Sequence, residues 1–130
     1  MGTAVSLHER SGERDLTYSG WHRTLPARCS MMDLDGLEFC AKCKAPLALI
    51  ETAYNIGQFK PTTVTAKLAE LAGLPAYLIM YTTDNEQLGM CKVYRVKPGS
   101  RTAAWNATPK MLGEWITGIH DNHSCTNNGQ

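Results

Sequence analysis

The chain lacks most of the features that mark specialised protein classes. No apolar run approaches the roughly 18–20 residues that a membrane helix needs. Aromatic residues make up 8% and charged residues 19%, and the formal net charge is +1. No whole-molecule field therefore draws it to a polyanion, and any nucleic-acid contact has to come from a local patch. There is no glycine-rich phosphate loop, because Gly57, Gly73, Gly89 and Gly99 stand apart from one another. Neither G-x-S-x-G nor H-E-x-x-H occurs, which removes the usual serine-hydrolase and zinc-protease signatures. The opening residues MGTAVSLHERSGERDL contain no apolar stretch, so a secretory signal is not expected and the expected location is cytoplasmic. Cysteine is present five times, at 29, 40, 43, 91 and 125. That odd number points to reduced thiols rather than a disulfide framework.

What remains is 130 residues, 43% of them hydrophobic, enough for one domain with a core of its own. Residues 1–16 are polar and read as a flexible N-terminal arm, and 121–130 read as a flexible C-terminal tail. The folded part is then 17–120. Tyr18, Trp21 and Leu25 follow helical spacing up to Pro26. Met31–Phe39 alternates as a strand, 40–46 reads as a turn, and Leu47–Glu51 as a buried strand, which together make a hairpin. Thr62 or Thr63 caps a helix with Val64, Leu68, Leu71 and Ala72 on its apolar face, ended by Gly73. Pro75–Tyr81 and Met90–Val96 are two further strands around a turn at 84–89. Thr108 and Pro109 open a last helix with Met111, Leu112, Trp115 and Ile119 facing inward. The order α, β, β, α, β, β, α predicts an α/β domain with a single central mixed sheet flanked by helices.

The acids of the hairpin carry the first functional signal. If Phe39 faces Leu47, then Leu37 faces Leu49, Asp35 faces Glu51 and Asp33 faces Ala53. Directly opposed residues have Cβ atoms about 4.5–5.5 Å apart, and like charges at that distance repel. Two such acids need positive charge between them. A divalent cation with oxygen ligands is one solution; two solvated acids at strand ends are the plain alternative.

Four segments, Trp21-His22-Arg23, Met32–Phe39, Pro46–Glu51 and Gly73–Tyr77, resemble small bacteriophage-encoded proteins similar to the PD-(D/E)xK nuclease superfamily. The superfamily includes RecB-like nucleases and Holliday-junction resolvases. The resemblance covers about residues 17–96. It implies a restriction-endonuclease-like core of αβββαβ type, action on DNA phosphodiesters, and Mg²⁺ or Mn²⁺ held by Asp35 and Glu51 with Asp33 as the near alternative. In that superfamily the metal polarises the phosphate, and a lysine activates water or steadies the transition state. The lysine position is Ala53 here. Lys60 or Lys67, before and on the following helix, is the expected replacement. The resemblance also implies phosphate contacts from His22 and Arg23. Two outcomes stay open: an endonuclease acting on branched or duplex DNA, a homodimer if the substrate is a junction, or a catalytically degenerate module that binds DNA or a host protein. For a phage protein the expected location is the host cytoplasm.

Two other features have competing readings. Lys92, Arg95, Lys97 and Arg101 are the densest basic stretch, with Arg95 and Lys97 on one strand face. They suit a nucleic-acid backbone or, equally, an edge strand protected by charge. Cys40-x-x-Cys43 can hold zinc with two further ligands, for which His120, His123 and Cys125 are available. The His pair is closer in sequence than the usual zinc spacing, so the two cysteines read as plain reduced thiols.

Overall fold

Residues 16–58, 60–102 and 104–125 are described by a computed structural model. The chain divides into two compact units, Met1–Asp33 and Leu34–Gln130. In the first, helix α1 (Thr17–His22) brings Tyr18 and Trp21 together with ring centroids 5.4 Å apart. It is shorter than the predicted segment and stops before Pro26, whose ring cannot continue a helix. Apart from Leu16, the predicted arm lies outside the described residues.

The second unit opens with strands β1 (Gly36–Phe39) and β2 (Pro46–Tyr54). Helix α2 (Thr63–Ala72) follows, then β3 (Ala76–Asp84), β4 (Gln87–Lys97), β5 (Ser100–Arg101), β6 (Trp105–Ala107) and helix α3 (Pro109–Asp121). The strands form one mixed sheet in the order β1-β2-β3-β4-β5, with β6 also pairing β4. The unit is α/β, a six-stranded mixed sheet flanked by helices. β1 and β2 are an antiparallel hairpin, and α2 carries the chain over to β3, parallel to β2. β3 and β4 pair antiparallel across Asn85 and Glu86, both at positive φ (53° and 67°), as a two-residue hairpin turn of matching twist requires. The predicted loop at 84–89 is therefore tighter, and both strands run longer.

In the hairpin Leu37 pairs with Leu49, as counted from the sequence. Phe39 pairs with Pro46 rather than Leu47, because the register shifts between Glu38 and Phe39. A bulge on the turn side leaves the open end in register. The predicted strand over 31–39 forms only from Gly36. Strands β5 and β6 were not predicted; at two and three residues they are too short to show a period.

Each sheet face is covered. Ala48, Ile50, Ile79, Cys91 and Val93 pack with Leu112 of α3, and Trp115 and Ile116 lie against that cluster. Leu49, Ala76, Leu78, Met80 and Val96 pack with Ala66 and Ala69 of α2. The caps behave as their residues dictate. Thr108 Oγ1 accepts from the Met111 N–H at 3.1 Å beside Pro109, and Gly73 closes α2 at φ 71°.

The predicted face of α2 is overturned. Thr65, Ala66 and Ala69 are buried, while Val64, Leu68 and Leu71 point outward, Leu71 being 87% exposed. Small residues let α2 lie close on the sheet, and Thr65 turns inward because a buried partner needs its hydroxyl. On α3, Met111 is exposed and Ile116 packs inward instead. In urea unfolding, Ala66→Leu should lose about 1–3 kcal/mol by overpacking this seam. Leu71→Ala should change stability by less than about 0.5 kcal/mol.

Candidate functional site

Glu51 lies in β2, between β1 and β3, and alternation sends its side chain to the α2 face with Leu49 and Ala53. It is 1% exposed. A carboxylate cannot stay charged there without partners. Thr65, in the first turn of α2, donates its hydroxyl to Oε2. Lys60, in the segment between β2 and α2, brings Nζ to 2.8 Å from Oε1, an ion pair outside hydrogen-bond alignment.

Asp35, directly before β1, completes the cluster. Its Oδ2 accepts the Thr52 N–H at 2.9 Å, so the side chain extends the hairpin ladder by one bond. The same oxygen pairs with Lys60 Nζ, which also donates to the Thr52 carbonyl at 3.1 Å. Arg101 of β5 braces the segment from behind, donating to the Lys60 carbonyl and, at 3.2 Å, to Thr62 Oγ1. Glu51 and Thr65 form the enclosed floor, while Asp35 and Lys60, each with a side chain 30% exposed, form the rim. Partial burial pushes the Asp35 carboxyl up, but the Lys60 ammonium and the Thr52 N–H, both donating to it, outweigh that and hold its pKa below the ordinary value of 3.8. Burial likewise pulls the Lys60 ammonium down, and its bonds to Asp35 and Glu51 with their charges carry it above 10.5.

A second cluster sits at the other end of the hairpin. The turn after β1 carries Cys40 and Cys43, with Lys44 at φ 70° closing it back to Cys40. The segment after α3 carries His123 and Cys125. Cys40 Sγ is 3.5 Å from Cys125 Sγ, and Cys43 Sγ is 3.1 Å from His123 Nε2. All four donor atoms lie within 4.8 Å of one another. Zinc bonds of about 2.3 Å to sulfur and 2.0 Å to nitrogen give tetrahedral edges of about 3.5–3.8 Å, so the set fits zinc. Backbone N–H groups of Cys43 and Lys42 lower the Cys40 thiol to about 6. Hydrogen bonds with Cys40 and Cys43 raise Cys125 to about 11.

No family model, curated protein or solved structure matches the chain. Among the described residues, no helix is long and apolar enough to cross a membrane.

The structure brings Asp35 and Glu51 together and selects Lys60 over Lys67, which stands on the exposed face of α2. Asp33 belongs to the N-terminal unit, where it lines a cavity of about 190 Å³ with His22 and Arg23. Arg95 stacks over the Tyr77 ring at 5.5 Å, and Lys97 lines a cavity of about 280 Å³ with Arg101, Thr62, Thr63 and Ser100.

The cofactor expectation is corrected. Mg²⁺ or Mn²⁺ on Asp35, Glu51 and Asp33 rested on two acids needing a cation, and the Lys60 ammonium already serves both. The metal-donor set that the fold gathers is three thiols and an imidazole, which suits zinc rather than a hard oxygen-seeking ion. Reading Cys40 and Cys43 as plain thiols is overturned with it. The sequence signal for the second pair is His123-x-Cys125; His120 is not a ligand and contacts Glu38 at 2.7 Å.

The acid–ammonium cluster has a pH signature. A carboxyl with a lowered folded pKa stabilises the fold above its unfolded value, and that contribution fades as pH falls through the folded value. Lys60, with a raised pKa, contributes fully below 10.5 and loses its contribution as pH rises through its folded value. Stability measured by urea unfolding should therefore drop below about pH 4 and again in the alkaline range. Asp35→Asn should flatten the acid limb.

Proposed function

We propose that this is a nuclease-like protein acting on DNA phosphodiesters, with Asp35, Glu51 and Lys60 as its site. The observation that carries the reading is the convergence of these three groups from three separate segments, one of them a carboxylate 1% exposed. A buried ion pair is a poor device for stability, since well-packed apolar residues often serve as well. Such a cluster at a solvent rim is a better candidate for chemistry.

The chain path supports the same reading. One acid precedes the first hairpin strand, the second lies on its partner, and a crossover helix leads to a parallel strand. The αβββαβ core that the resemblance implies has three strands before its crossover helix, and among the described residues two precede α2, so the support lies in the hairpin, the helix and the parallel strand alone, with Lys60 in place of the lysine absent at Ala53. In hydrolysis an oxygen–phosphorus bond forms to water, the ester bond breaks, and a proton leaves the water for a base. In this reading Lys60, on the rim, meets negative charge growing on the phosphate oxygens, Asp35 beside it orients the water, and the buried Glu51 holds the Lys60 ammonium in position.

A second reading, a module that binds DNA without cutting it, is favoured by one observation. Asp35 and Lys60 hold each other in their charged forms, and a carboxyl held below 3.8 is a weak base. In that reading the cavity lined by Lys97, Arg101, Thr63 and Ser100 supplies backbone contacts.

The test is incubation of the full chain with duplex and branched DNA, with and without added divalent cations, with binding followed in parallel. Cleavage that Asp35→Asn and Glu51→Gln each reduce by about 10²-fold or more supports the nuclease reading. Binding without cleavage supports the module. Neither binding nor cleavage overturns both.

A further inference from the structure

The four-donor cluster goes beyond any phosphodiester chemistry and stands independently of it. We propose that Cys40, Cys43, His123 and Cys125 form a closed structural zinc centre that fastens the chain after α3 to the turn of the β1–β2 hairpin.

Three features carry this. First, the ligands number four, three sulfurs and His123 Nε2, mutually within 4.8 Å. A zinc site with four protein ligands keeps no open position for water or substrate, so its role is to hold structure. Second, the ligands come in two pairs from opposite ends of the unit. Cys40 and Cys43 are joined by a tight turn, with the Cys40 N–H bonded to the Ala45 carbonyl at 2.8 Å and the Lys44 N–H to the Cys40 carbonyl at 2.7 Å. His123 and Cys125 follow the last turn of α3, where the Asn122 N–H still bonds the Gly118 carbonyl at 2.9 Å. The Cys40–Cys43 pair is thus preset by local backbone bonds, and His123 is held to the helix end by its N–H on the His120 carbonyl at 3.2 Å. Third, the same two parts of the chain are joined again nearby by a polar contact, His120 of α3 to Glu38 of β1 at 2.7 Å.

The linkage answers a need of the fold. β1 is a four-residue edge strand, paired on one side only by β2, and Leu37 and Phe39 on it are half exposed. A short edge hairpin of this kind has little apolar area to hold it. A metal bond joining residues about 80 positions apart removes much of the freedom of the unfolded chain. Binding exchanges thiol protons for the ion, so zinc affinity and folding are coupled.

The experiment uses the full chain purified under reducing conditions. Metal analysis should find one zinc per chain, and replacement by cobalt should give the visible absorption of a tetrahedral thiolate site. Chelation should lower Tm by more than about 10 °C, and added zinc should restore it. Cys43→Ser and His123→Ala should each abolish zinc retention, while Cys29→Ser, outside the cluster, should keep it. Should the cluster variants fail to fold, the cobalt spectrum of the unaltered chain decides alone. A folded, reduced chain that carries no zinc and gives no tetrahedral cobalt spectrum overturns the proposal. So does a zinc content that Cys43→Ser and His123→Ala leave unchanged.

Discussion

A carboxylate at the centre of a sheet has to be answered, and Glu51 organises the rest of the unit around that need. Its position in β2 is fixed by pairing on both sides. Its charge therefore cannot be moved to water, and other elements come to it. Thr65 turns inward and with it the small face of α2, which leaves Val64, Leu68 and Leu71 outside. Lys60 reaches back from the segment before α2, and Arg101 of β5 holds that segment in place. Without Glu51, the close packing of Ala66 and Ala69 would still favour this helix face, but the burial of Thr65 would have no polar partner.

The β1–β2 hairpin links two kinds of chemistry. At its open end Asp35 continues the ladder through its side chain and joins the acid–ammonium cluster. At its closed end the turn presents two thiols to the segment after α3. The two ends have different registers, because the pairing shifts between Glu38 and Phe39. The bulge at Glu38–Phe39 absorbs the turn's extra residue before it can slip the register of the open end.

Much of the acid cluster was legible because strand pairing is arithmetic. Once Leu37 faces Leu49, Asp35 has to fall near Glu51, and the error at Phe39 lay on the harmless side. Lys60 and Lys67 are candidates only through what the family resemblance implies, and the sequence carries no signal that separates them; the structure puts Lys60 beside both acids. The α2 face departs from the apolar spacing of Val64, Leu68 and Leu71 because the sheet takes the small residues Ala66 and Ala69 and the Thr65 hydroxyl. The members of the thiol–imidazole cluster are all visible in the sequence, but their joining is not, because the two halves lie 85 and 80 residues apart and His123-x-Cys125 has no spacing that by itself marks a ligand pair. Strands β5 and β6 owe their existence to the free edge of β4 rather than to any pattern of their own.

The most direct measurement is a double-mutant cycle on Glu51→Gln and Lys60→Met, read by urea unfolding of the full chain. Groups that share one buried charge contact depend on each other, so a coupling energy of about 1.5 kcal/mol or more is predicted. Additive effects, with coupling below about 0.5 kcal/mol, would contradict the view that this contact organises the unit.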